Sequence, residues 1–359
     1  MPIPKKNQLV GIDIGSHSIK IAEIADSSKG MILSNFGTIA LPQDAIVEGS
    51  IKEMEIVSAA LKNLFKNLRI KNKNVATSIS GYSVIVKKIT IPPKGEEDLE
   101  ASIQGEAEQY IPFDINDVNL DFQILSSEKE ETEEEEEKEE LMDVLLVAAK
   151  KDIVEEYISL FHLTELNPIV LDIDAFALQN AFEITGHEQA GCHALVHIGA
   201  QQLTINVIRD GNSIFTRDSS YGGSQITSEI QNKLNISYQE AESIKLGAKA
   251  IETNQRPMFE EMFSSTVTKW AQEIKRALEF VATTFPDIKV ENILVSGGSS
   301  LIPGFIKYLG LETGLQIEML NPFASLEIKE KLFDTGYLNY TAPMAVISIG
   351  LALRSIGDR

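Results

Sequence analysis

Asp13, Gly15, Ser16, Ser18 and Lys20 put a carboxylate, a bare corner, two hydroxyls and an amine into one short stretch of alternating apolar residues. A glycine between two strands leaves backbone N–H groups uncovered, and the two hydroxyls add donors, so the corner is a nest for phosphate oxygens. Asp13, at the end of the first strand, is placed to hold a hydrated divalent cation, and Lys20 to supply compensating positive charge. A second glycine corner lies at Gly199 and a third at Gly297 and Gly298, where an apolar strand runs into a turn and then a helix. A turn of that kind lets a flat base lie against backbone. Two phosphate corners facing each other would clamp a polyphosphate.

The elements that must position these corners repeat. Residues 12–24 superpose on residues 196–208 with Gly15 over Gly199 and the apolar alternation in phase. Each copy reads as strand, tight turn, strand, and each is followed by a third strand, at 31–40 and at 213–219, the latter entered through Asp210-Gly211. Two related lobes are implied. Helical spacing over 51–68 and strand character over 75–80 make the first lobe α/β. Residues 82–163 depart from this pattern, with a strand containing Val84 and Val86, a helix at 96–109, the turn Tyr110-Ile111-Pro112-Phe113, and further strands. A buried strand at 169–174 and a helix at 175–184 return to it.

Composition excludes several classes. The formal charge is −21, of which residues 128–140 hold −8 through ten glutamates and two lysines, leaving −13 elsewhere. A chain that acidic repels nucleic-acid backbones and anionic lipid, so any phosphate site must be local and membrane association must need a partner. The glutamate run has no apolar residue and reads as a mobile, solvated loop at 126–140. A single cysteine, Cys192, permits no internal disulfide and no cysteine-ligated cluster, and the first residues lack the apolar stretch of a secretory signal, so a cytoplasmic protein is expected.

The three glycine turns together resemble the phosphate-1, phosphate-2 and adenosine segments of the actin, sugar-kinase and chaperone ATPase superfamily. The first turn, the inserted block with Tyr110-Ile111-Pro112-Phe113, the Ala241-Glu-Ser-Ile-Lys245 sequence, residues 273–280 and the apolar 341–353 stretch narrow the likeness. In that order they resemble PilM, the actin-like component of type IV pilus assembly, over nearly the whole chain. The resemblance implies a duplicated two-lobed α/β fold, actin-like or ribonuclease H-like, with an inserted α+β subdomain shared with FtsA. It implies a first-lobe core at 8–81, the insertion at 82–165, and a connecting strand and helix at 166–189. The second lobe would follow at 190–235 and 286–336, a helical subdomain at 236–285, and a C-terminal helix at 337–359 returning to the first lobe.

Carried over by position, the resemblance puts Asp13 at the metal, with Gly15, Ser16, His17, Ser18 and Lys20 around the phosphates of ATP. Gly199, Ala200 and Gln201 form the opposite turn, and Gly222 and Gly223 the glycine loop nearby. Glu242 and Lys245 hold the ribose, while Arg276, Gly297, Gly298 and Ser299 enclose adenine. The family's second turn usually carries an aspartate that shares the metal site; here His197 stands in its place, which weakens the case for Mg2+ and for hydrolysis. A zinc site from His193 and His197 fails on distance, about 13 Å at roughly 3.3 Å per residue along a strand. Asp172 and Asp174 are the nearest candidates to orient an attacking water, with helix capping by Asp174 as the alternative role.

Three functions follow. The first is an ATP-binding scaffold with slow or absent turnover, whose partner by resemblance is the N-terminal cytoplasmic tail of PilN, with self-association and pilus motor components as further possibilities. Tyr110, Ile111, Pro112 and Phe113 and the strand at 84–91 would line that groove. The second is a small-molecule kinase, for which no general base beyond Asp172 and Asp174 is visible. The third is an FtsA-like membrane anchor, which would be expected to carry a basic amphipathic helix after the apolar one; residues 354–359 do not read as such.

Overall fold

The structure is a computed structural model that describes residues 8–28, 30–125, 141–187 and 190–357 of the 359-residue chain. The predicted acidic loop at 126–140 lies outside the described residues. In chain order, β1 (Val10–Ile14), β2 (Ser18–Ser27) and β3 (Gly30–Ala40) form a meander, the hairpin β4 (Ile46–Val47) and β5 (Ser50–Ile51) follows, and α1 (Met54–Leu68) leads to β6 (Asn74–Ile79). Then come β7 (Val84–Ile91), α2 (Glu96–Ala107), β8 (Val118–Ile124), β9 (Met142–Lys150), α3 (Lys151–Leu163), β10 (Asn167–Ile173) and α4 (Asp174–Glu183). The second half contains β11 (Cys192–Ile198), β12 (Leu203–Arg209), β13 (Asn212–Ser219), α5 (Gly223–Leu234), α6 (Tyr238–Lys245) and α7 (Arg256–Thr284). It ends with β14 (Asn292–Ser296), α8 (Phe305–Thr313), β15 (Gln316–Met319) and α9 (Thr335–Ala352).

Contacts divide the chain into two compact units, one running to Gly81 and resuming at Leu160, the other Tyr82–Ser159. The larger unit holds both halves of the duplication. Its two five-stranded sheets have the orders β10-β6-β1-β2-β3 and β15-β14-β11-β12-β13. In each, the first three strands pair antiparallel and the other two parallel, so the topologies are the same. The likeness reaches single residues. The register slips between Glu23 and Ile24 in one meander and between Val207 and Ile208 in the other, the positions that the sequence repeat superposes. Strands β1 and β11 are buried nearly throughout because each lies at the centre of its sheet, which is why both read as apolar runs rather than alternating ones.

Helices α4 and α9 lie in the core that joins the two sheets, with Ala177, Ala181, Ala345 and Ile349 fully buried beside Leu195 and Leu294 of the second sheet. Their crossing depends on Gly350: a Cβ there would stand 1.8 Å from the Ala177 carbonyl oxygen. The second sheet is tied to α4 by the fully buried Asn206, whose amide donates to the Ala175 carbonyl at 2.8 Å and accepts from the Ser213 hydroxyl at 2.7 Å. The outer core of the second half is built on Trp270 and Ile274 of α7 and Phe305 of α8. Here helical spacing suits a one-sided apolar stripe.

The smaller unit has a three-stranded antiparallel sheet, β7-β9-β8, covered by α2. Ile89, Leu99, Ile103 and Val144 form its core, and Ile111 of the turn predicted to line a groove is buried among them. Among the described residues, no helix is long and apolar enough to cross a membrane.

Candidate functional site

Both predicted phosphate corners close in the same way. The Gly15 N–H donates to the Ser18 carbonyl at 3.2 Å, and the Gly199 N–H to the Gln202 carbonyl at 2.8 Å. In the first corner Asp13 lies opposite Lys20 in the strand register, and the ammonium pairs with the carboxylate at 3.0 Å, each side chain 12% exposed. The ammonium also covers the corner, since a Cβ on Gly15 would come 2.9 Å from it.

The second corner touches the first lobe. Gln201 accepts a hydrogen bond from the Glu48 N–H of the first lobe at 3.0 Å, and a Cβ on Gly81 would stand 2.9 Å from the Gln202 side-chain oxygen. The Gly81 N–H donates to Asp218 of β13 at 2.7 Å, while the Thr204 hydroxyl donates to the other oxygen of that carboxylate at 2.6 Å. His197 is held near 4, far below an ordinary imidazole, by burial; Asp13 pulls it back up and Lys20 pushes it down. Both of those charges belong to the opposite corner. The ring's Nδ1 is engaged with the Ser296 hydroxyl at 2.9 Å, and His193 is held by Asn292 and the Ala190 carbonyl, so neither histidine serves a zinc site.

The third turn completes a knot of backbone in the second lobe. Ser299 donates its hydroxyl to the Gly199 carbonyl at 2.7 Å, the Gly223 N–H reaches the same carbonyl at 3.1 Å, and the Ser224 N–H bonds Ala200 at 2.8 Å. Glycine is required at Gly222 and Gly297 by this packing: an added Cβ would come 2.3 Å from the Ala200 oxygen or 2.2 Å from the Ile198 oxygen, and Gly297 has φ 88°. Gly298 differs. Only the Met344 side chain comes within 4 Å of its Cβ position, at 3.7 Å, and the residue is half-buried.

Glu242 and Lys245, a pair three residues apart on α6, are not solvated. The lysine side chain is 5% exposed, with its ammonium 2.7 Å from the carboxylate and 3.3 Å from the Gly223 carbonyl, and Thr227 donates to Glu242 at 2.6 Å. Burial lowers the lysine's pKa, and Glu242 raises it in part. His17 of the first corner is also lowered by burial, with Glu242, Lys245 and Lys20 as the charges acting on it. Its ring centroid lies 6.4 Å from that of Tyr238, whose phenol is pushed up to about 12 by burial and then by Glu242. His17 therefore bridges from the first lobe to α6.

The two candidate aspartates separate. Asp174 accepts from the Ser78 hydroxyl at 2.6 Å and is raised to about 6, first by burial and then by Asp13. It makes no cap for α4. Asp172 turns to Arg354, 3.5 Å away, and is raised by burial. Arg276, expected near adenine, has its ion pair with Glu273 at 3.3 Å. Glu273 is buried and also takes Arg217 and Ser219 of β13, anchoring α7 on the β13 edge. In the smaller unit Lys87 stands 5.2 Å from the Tyr110 ring centre and Lys150 4.6 Å from that of Phe113, while Pro112 is exposed. Tyr238, Gln202, Ser78, Thr227 and Asp218 joined the cleft without a motif to mark them.

The arrangement leaves a magnesium ion few free ligands. For the ion, Asp13 is already neutralised by Lys20, His197 brings no negative charge, and Asp174 is engaged by Ser78. Among the described residues no group of three or more His, Cys, Asp or Glu side chains converges.

Duplicated five-stranded sheets, each with a glycine corner between its first two strands and joined by two core helices, define the actin-like class of fold. Within it, residues 11–356 match the family described as type IV pilus assembly protein PilM, and the chain belongs to that family. A solved structure of a PilM-PilN type IV pilus biogenesis complex is similar to it at TM-score 0.84 and 25% identity, covering 98% of this chain and 99% of that one. Ethanolamine utilization protein EutJ from Carboxydothermus hydrogenoformans aligns at TM-score 0.57 and 16% identity, over 98% of this chain and 90% of that one. MreB 5 of Spiroplasma citri bound to AMPPNP aligns at 0.50 and 11%, over 97% and 95%.

Proposed function

We propose that the protein is an ATP-binding scaffold of the type IV pilus assembly machinery, acting on the cytoplasmic face of the inner membrane, with slow or absent hydrolysis. The observation that carries this reading is the contact of the second glycine corner with the first lobe, through Gln201 with Glu48, with Asp13 and Lys20 of the first corner close enough to act on His197 of the second. In this reading Gly15, Ser16, Ser18, Lys20, Gly199 and Ala200 receive phosphate oxygens, Glu242 and Lys245 the ribose, and Gly298 and Ser299 the base. Turnover is slow in this reading because Asp174, the candidate to orient a water, is tied to Ser78.

The partner in this reading is the N-terminal cytoplasmic tail of a PilN protein, by analogy with the PilM-PilN complex that resembles this chain. The smaller unit, with Tyr110, Pro112 and Phe113 at its surface turn, would receive it, and membrane recruitment would follow from that contact. Calorimetric titration with ATP tests the site: Asp13→Ala and Gly298→Val should weaken binding, and equal affinity in all three proteins removes the assignment. Titration of the ATP-loaded protein with a synthetic PilN tail tests the partner, and no heat of binding refutes it.

A further inference from the structure

The duplication allows the two corners to be compared residue by residue. Asp13 and Lys20 face each other across the first hairpin; the superposed positions of the second hairpin are His197 and Thr204, which also face each other. The second hairpin has thus exchanged both charges for uncharged or basic groups. An imidazole supplies no negative charge in either protonation state. Its Nδ1 is held by Ser296, and Thr204 is turned to Asp218. What remains of the two hairpin pairs is one carboxylate, Asp13, with a lysine ammonium already 3.0 Å away; Asp174 nearby is taken by the Ser78 hydroxyl, and the ammonium lies over Gly15, where phosphate oxygens would enter.

A divalent ion held beside Asp13 would stand next to a fixed positive charge, and hard cations need several oxygen ligands with net negative charge. We propose that this protein binds its nucleotide as the metal-free polyphosphate, with the Lys20 ammonium serving as the built-in counter-cation in place of magnesium. The proposal rests on the nucleotide reading above. Asp13 then acts as a positioning residue: its ion pair fixes the ammonium over the corner before any ligand arrives.

The test is calorimetric titration of the intact protein with ATP in EDTA and again in excess magnesium. Dissociation constants agreeing within about threefold are expected. Binding in magnesium alone overturns the proposal and leaves the nucleotide reading intact, whereas no binding in either buffer overturns both. His197→Asp restores the missing carboxylate and should make affinity depend on magnesium by about tenfold or more. Lys20→Met should lose affinity in both buffers, and undiminished binding by that variant in EDTA refutes the role given to Lys20. Thermal melts of both variants establish that they are folded, and the wild-type comparison decides the matter if either is not.

Discussion

Replacing His197 by asparagine tests the electrostatics of the cleft through a stability measurement that needs no ligand. Burial holds the imidazole at about 4 against an ordinary value of 6.5. As pH falls, the unfolded chain therefore takes up this proton before the folded one does. The stability associated with His197 is full above 6.5 and is lost as pH falls toward 4. At 1.36 kcal/mol per pH unit, the loss is about 2 kcal/mol at pH 5 and about 3 kcal/mol at pH 4. Asp174 works in the other direction: raised to about 6 from 3.8, it contributes stability that is full below 3.8 and lost as pH rises through 6. Both proteins carry Asp174 and every other carboxylate, so the difference between them isolates the histidine. Asparagine keeps a polar atom near Ser296. Urea unfolding at pH 7.5, 6 and 5 should show the variant gaining about 2 kcal/mol on the wild type across that range. Parallel stability curves would show that His197 titrates freely and that the corners do not bury it.

Three further outcomes follow from contacts in the larger unit. Gly350→Ala should destabilise by at least about 1–3 kcal/mol, since the new methyl meets the Ala177 carbonyl and both helices must part; a melting temperature within a degree of wild type would contradict the tight crossing. Lys245→Met leaves Glu242 with a hydroxyl partner only and should cost about 3–5 kcal/mol, the usual penalty for a half-broken buried pair. Adding Glu242→Gln to that variant should recover part of the loss in denaturant unfolding, and a purely additive double mutant would count against the coupling. Asp218→Ala removes the acceptor for Gly81 and Thr204, at about 1–3 kcal/mol per stranded group, and should speed amide exchange at Gly81. Unchanged exchange there would mean that the lobes are not joined at that point.

The repeat was legible because its information is local. Alternating apolar positions with a glycine at a fixed place declare a hairpin, and two such hairpins in phase declare a duplication; the shared slip at Ile24 and Ile208 came only with the structure. The Glu242–Lys245 spacing was equally visible, although a solvated pair would look the same in sequence. The ion pair of Arg276 was hidden for a related reason: residues 273 and 276 are neighbours on any helix, and nothing local says that Glu273 will be buried and will also take Arg217 of β13. Asp172 and Asp174 are two apart, yet one ends a strand facing Arg354 and the other opens a helix facing Ser78 and Asp13.

By itself, then, the sequence determined the strands, the corners and the identity of the groups at each corner, because backbone geometry and side-chain chemistry at a turn depend on residues a few positions away. Tertiary structure decided which corner faces which, why Gly222 and Gly297 must be glycine, and how far each ionisable group is taken from water. Those properties depend on residues far apart in the chain, 153 positions for Glu48 and Gln201 and more for Asp172 and Arg354, brought together only when α4 and α9 lock the two sheets. Electrostatic character in a cleft is set by burial and by charges across the gap, and neither is written in any short segment of the chain.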